Sequence, residues 1–209
     1  MSDNPSLVKH PGLDDWLSIG SEGRVTVRTG KVDIGQRIST AIALIAAEEL
    51  DVELGRIEMV RAETGLSPDE GITSGSNSME ESGNAIRLVA ATARRHLLER
   101  AAAALGVDAG SLEVIDGLIQ SRDTNRTITY WELAGDRRFD AEVDVEVETK
   151  APAEYRLVGK PAPARGMAEL VSGRAQFIHD MTMPGMLHAR IIRPPHYHAR
   201  LASLDDGVG

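Results

Sequence analysis

The sequence predicts an α+β fold, with helices layered against one side of a sheet, and three observations lead there. Two stretches carry apolar residues at helical spacing, several short stretches alternate polar and apolar side chains, and 20 glycines divide the 209 residues into short elements. The predicted order is β-β-α-β-α-β-β, closing near Gly135 as a two-layer unit. Hydrophobic residues make up 42% of the chain but aromatics only 3%, so Ala, Val, Leu and Ile must build the core.

Residues 1–12 read as a polar arm. Trp16–Ile19 and Val25–Val27 flank Ser21-Glu22-Gly23, a hairpin with glycine in its turn. Ile38, Ala41, Ile42, Ile45 and Ala46 form the apolar stripe of a helix ending near Leu50. Glu48 and Glu49 fall on its polar side and read as solvated, and Asp33 before it reads as the end of a strand. Arg56–Val60 alternates like a strand with one covered face. Ser78 and Glu81 fit a capping box that starts the next helix. Its stripe is Ile86, Val89, Ala90, Ala93 and Leu97, Gly106 stops it, and Arg94 and Arg95 read as its solvated face. Asp116-Gly117 between two apolar runs predicts a type I′ hairpin.

The organisation expected is thus an α+β domain over 13–135, an acidic linker over 136–158 and a second unit over 159–209. In the linker Asp and Glu alternate with Val. The second unit offers strand candidates at Ala175–Ile178 and Leu187–Ile192, too few elements to close a core, and so reads as incomplete.

Composition narrows the function classes. A net charge of −9 disfavours nonspecific binding to nucleic acid. With no cysteine, this chain supplies no disulfide, no iron–sulfur ligand and no thiolate zinc site. No run approaches a membrane span and the start has no basic–apolar signal pattern, so no membrane insertion is expected and a cytoplasmic location is favoured. His196 and His198 form an H-x-H pair near His188 and His179 without a third ligand at motif spacing, which reads as surface histidines. Met181, Met183 and Met186 read as loop packing.

Two loops stand out. Thr29-Gly30-Lys31-Val32-Asp33-Ile34-Gly35-Gln36 leads into the first long helix, and Thr73-Ser74-Gly75-Ser76-Asn77-Ser78 opens the second. Helix starts present unpaired N–H groups and a partial positive charge, which suit phosphate oxygens. The Gln36 amide could read a heterocycle edge, and the serines supply hydroxyls. Alternatively, both loops simply cap helices.

The segments GKVDIGQRISTAIALIAAEELDV and TSGSNSMEESGNAIR resemble the molybdopterin-binding large subunit of the molybdenum hydroxylase (xanthine oxidase) family, of the isoquinoline oxidoreductase and nicotinate dehydrogenase type. In that family a G-K/H-V-E-x-G-Q-G loop and a T-x-G-S-x-S loop hold the pyranopterin and its dinucleotide phosphates. The resemblance implies cofactor contacts from Gly35 and Gln36, with Arg37 and Thr40 just beyond, and from Thr73, Ser74, Gly75, Ser76 and Ser78. The segment from Tyr155 to Asp205 is similar to the start of the family's α/β hammerhead domain. The fold implied is a two-layer molybdopterin-binding-type domain followed by part of a hammerhead. The cofactor implied is a molybdopterin dinucleotide, in its cytosine form, with molybdenum.

The resemblance also implies partners: the rest of a large subunit and a [2Fe-2S] small subunit or other electron-transfer protein, since no cysteine is present here. Arg37 replaces the glycine that follows Gln in the family, and either blocks close approach or adds a cation facing phosphate or solvent. The family's catalytic glutamate lies downstream of the hammerhead, so no catalytic residue is assigned and the chain alone is expected to be inactive. It reads as part of an oxidoreductase, either a fragment or one half of a naturally split subunit. The rival is a non-catalytic binding or assembly module that kept the scaffold.

Overall fold

A computed structural model describes residues 4–60, 62–204 and 207. The chain forms two compact units that divide between Arg165 and Gly166.

The first unit begins with a helix where an arm was expected. Asn4 caps α1 (Pro5–Lys9) by accepting the N–H groups of Ser6 and Leu7, and Leu7 is buried. Beyond that cap and the burial of Leu7, the Asn4 amide donates to Glu81 O at 2.8 Å and Ser6 Oγ to Glu70 at 3.0 Å, which ties this short segment to the rest of the unit. α2 (Leu13–Trp16) follows and sinks Leu13 and Trp16 into the core, the indole N–H donating to His10 O at 2.9 Å. β1 (Leu17–Ile19) and β2 (Val25–Val27) form the expected antiparallel hairpin. α3 (Ile38–Leu50) then crosses over, so that β3 (Ile57–Met59) pairs with β2 in parallel.

The second long helix starts differently from its expectation. Ser78 and Glu81 make no capping box. Ser78–Gly83 is a π-helical turn, and Glu81 accepts instead from the Asn77 amide at 3.0 Å. α4 (Asn84–Leu105) continues for 22 residues and stops at Gly106, packing along α3 through Ile86, Val89, Ala90 and Ala93. β4 (Leu112–Ile115) and β5 (Leu118–Ser121) flank Asp116 and Gly117, both at positive φ as a type I′ turn requires. β6 (Thr127–Thr129) adds a third strand, and α5 (Tyr130–Ala134) follows through a Thr129–Glu132 capping box. The described strands therefore make two separate three-stranded sheets, β1-β2-β3 and β4-β5-β6, rather than one.

The polar side of α3 also corrects its expectation. Glu48 and Glu49 are 2% and 3% exposed, not solvated. Glu48 accepts the backbone N–H groups of Arg156, Leu157 and Val158, while Glu49 takes the Arg87 guanidinium at 3.0 Å and the Lys150 N–H at 3.1 Å. Acids at a helix C-terminus oppose the dipole, and the cations of Lys150, Arg87 and Arg94 offset that cost. Arg94 meets Asp51 at 2.8 Å and Arg95 pairs with Asp144, so neither is merely solvated. The acidic stretch lies on the same unit: Phe139 is buried, Leu13 N–H donates to Ala141 O, and Asp144 meets Thr92.

In the second unit, α6 (Met167–Val171) is the one α-helix among the described residues. Neither strand candidate forms there. Leu187, Ile191 and Ile192 are 90%, 79% and 89% exposed, and no described strand lies alongside to complete a ladder.

Candidate functional site

The two loops meet. Val32 N–H donates to Thr73 Oγ1 at 2.9 Å, which puts the first loop directly against the second. Gly30 makes the approach possible. A Cβ there would lie 2.2 Å from Pro68 O and 2.9 Å from Glu70 N, so only glycine fits.

Glu70 ties the junction. One carboxylate oxygen accepts from Thr29 Oγ1 at 2.6 Å and from Gly30 N–H at 2.7 Å. The other accepts from Ser6 Oγ at 3.0 Å and Ser82 Oγ at 2.5 Å. The Lys31 ammonium, on a side chain only 2% exposed, donates to Glu70 O at 2.8 Å and lies 3.6 Å from the Glu81 carboxylate. At the base of the second loop, His10 Nε2 accepts from Asp69 N–H at 2.8 Å. Lys9, hydrogen-bonded to the Asp69 side chain, holds that carboxyl below its ordinary range, helped by the Gly71 N–H.

The residues read from the sequence take up distinct positions on this frame. Gly35 has φ +110° with open space where a side chain would begin. Gln36 closes the loop on itself, its Oε1 accepting Ile34 N–H at 2.6 Å and its Nε2 donating to Val32 O at 2.9 Å. Asp33 ends no strand. It accepts the backbone N–H of Ser39 at 3.3 Å and the Ser39 hydroxyl, so the start of α3 already holds a carboxylate of its own chain. Arg37 occupies the N-cap of α3 at φ +60°, and its guanidinium has no partner among the described residues. Thr40 is buried, its hydroxyl accepting Arg165 N–H at 3.0 Å, and it stands apart from the serine loop's bonds.

On the second loop Thr73 is engaged with Val32, whereas Ser74, Gly75 and Ser76 are exposed and Ser78 is half-buried. The hydroxyls of Ser74, Ser76 and Ser78 have no partner among the described residues. Sequence reasoning quotes Thr29 and Lys31 within the first loop without giving either a role, and it does not single out Glu70. Glu70 has no spacing signal, because its donors come from positions 6, 29, 30 and 82. The close approach at Gly30 is visible only in three dimensions.

The surface therefore offers free hydroxyls, exposed backbone and one unpaired guanidinium. These groups bind phosphate oxygens and the amide edges of heterocycles. Among the described residues no cluster of three or more His, Asp or Glu side chains could hold a metal ion. The donor set fits the polar organic part of a cofactor.

A family model described as the molybdopterin cofactor-binding domain matches residues 7–169. A nicotinate dehydrogenase subunit of Pseudomonas putida is 35% identical over 189 residues, covering 90% of this chain and 16% of that protein. The β-subunit of isoquinoline 1-oxidoreductase from Brevundimonas diminuta is 27% identical over 232 residues, covering 92% of this chain and 30% of that protein. Among solved structures, the reconstituted CO dehydrogenase from Oligotropha carboxidovorans aligns with a TM-score of 0.51 and 28% identity, over 56% of this chain and 15% of that one. The chain thus spans less than a third of the length of the two curated relatives.

Proposed function

The chain belongs to the molybdopterin cofactor-binding domain family, and from that premise we propose that its two joined loops bind the cofactor of a larger molybdenum-dependent hydroxylase or dehydrogenase. The observation that carries this reading is the Val32–Thr73 hydrogen bond. It merges two separate helix starts into one surface, beside which three serine hydroxyls stay free. Loops that served only as caps would not need to meet.

In this reading Ser74, Ser76 and Ser78 donate to phosphate oxygens, and Arg37 adds a cation to the same charge. The Thr73 hydroxyl and the Gln36 amide hold the loop shapes. Gly35 leaves room for close approach of the pterin. When bound, the cofactor supplies the redox chemistry that oxidises an aldehyde or N-heterocycle. This chain positions it and contributes no acid or base to that chemistry. The cofactor is the cytosine dinucleotide form, and the electrons leave through iron–sulfur clusters on a partner, because the chain has no cysteine. Residues 159–209 begin a hammerhead domain completed by further sequence of the large subunit, and the chain by itself is inactive. No helix among the described residues is long and apolar enough to cross a membrane.

The test is the cofactor content of the assembled protein carrying both Ser74→Ala and Ser76→Ala. Two lost hydrogen bonds to a charged group lower molybdenum and released cytidine monophosphate by about tenfold or more. Unchanged content in that variant removes the serines from the binding surface. Absence of molybdenum and nucleotide from the unaltered assembly sinks the reading and leaves a scaffold that serves assembly.

A further inference from the structure

We infer that Glu70 is a positioning residue of the cofactor surface, the pin that sets how far apart its two loops stand. The inference rests on the cofactor-binding reading above. Four donors from three segments converge on one carboxylate: Ser6 from α1, Thr29 and Gly30 from the first loop, and Ser82 from the π-turn behind the second. The main chain of the same residue takes the Lys31 ammonium, and three residues later Thr73 receives Val32. Every hydrogen bond that registers one loop against the other thus runs through Glu70 or within three residues of it, with the Lys31–Glu81 ion pair at 3.6 Å beside them.

The pin is local. The α3–α4 core is closed by apolar contacts, and the far end of α3 by Glu48 and Glu49 with Lys150 and residues 156–158. Removing Glu70 frees the loops and leaves that core shut. A merely structural carboxylate would behave differently, lowering stability without changing what the loops hold.

The chemistry predicts which replacement rescues. All four contacts are donated to Glu70, and the Gly30 N–H cannot reverse. The hydroxyls of Ser6 and Ser82 can. Glutamine can therefore keep its oxygen on Thr29 and Gly30 and turn its NH2 toward the two serines, whereas alanine satisfies none of them.

The experiment compares Glu70→Ala, Glu70→Gln and Glu48→Ala in the assembled protein, reading molybdenum, released cytidine monophosphate and melting temperature. Glu70→Ala should lower molybdenum and nucleotide content by about tenfold, as loss of an orienting outer partner does, and Glu70→Gln should restore most of it. Glu48→Ala should lower the melting temperature at least as much while keeping the cofactor. Full cofactor in Glu70→Ala, or equal loss in Glu48→Ala, overturns the inference. An unaltered assembly with no cofactor overturns the reading beneath it instead.

Discussion

Arg37 carries a backbone conformation that an L side chain adopts at a cost. At φ +60° the strain is on the order of 1 kcal/mol, and glycine relieves it. Arg37→Gly should therefore raise the urea midpoint while lowering molybdenum content, because the same change deletes the free guanidinium. A marked rise in molybdenum would show that the arginine obstructs the site. Glu48 carries a different signature. Burial pushes its carboxyl up, but the N–H groups of Arg156, Val158 and Leu157, with Lys150, outweigh it and hold it below the ordinary 4.5. A carboxyl depressed in the folded state contributes stability above its unfolded value and loses it as pH falls through the folded one. Stability should thus decline below about pH 4.5, and Glu48→Gln should flatten that decline in urea midpoints measured against pH. Asp116, held down first by its hydrogen bond to Arg56, adds to the same acid slope.

At the scale of elements, the glycine that lets the loops touch is the most sensitive point. Gly30→Ala drives a Cβ into Pro68 O, so the loops must part. A loss of about 2 kcal/mol or more in chemical unfolding should accompany loss of cofactor from the assembled protein. Gly117→Ala provides the contrast: it strains a turn at φ +76° against Trp131 and should destabilise comparably while cofactor content holds. The helices and this hairpin are legible because their signals are local. The 3.6-residue stripes of α3 and α4 and the Asp116-Gly117 pair each sit within one window of sequence. The start of α4 is not, because Glu81 finds Asn77 and Lys31 rather than the helix start. The strand candidates of the second unit carry apolar residues, but composition supplies no neighbour to pair with.

Across the whole molecule, the first unit holds its own core, and its last anchor is Arg165 on Thr40. A chain ending at Arg165 should unfold cooperatively in a urea titration. One ending at residue 147 should be less stable by about 3 kcal/mol or more, because it leaves Glu48 buried without a partner and Glu49 with Arg87 alone. Multiphasic unfolding of the longer chain would contradict that account. The candidate loops are legible as motifs, but their meeting is not. Neither are the burial of Glu48 and Glu49 nor the convergence on Glu70, for each depends on partners between 12 and 110 residues away. That separation has a consequence in time. Arg156, which donates its N–H to Glu48, is made 108 residues after it, a delay of about 5–20 s during synthesis. Throughout that interval α3 must keep its C-terminal carboxylates in water, so the growing chain cannot complete this unit helix by helix. Its final dehydration waits for residues 156–158, which close the far end of α3 and not the loops.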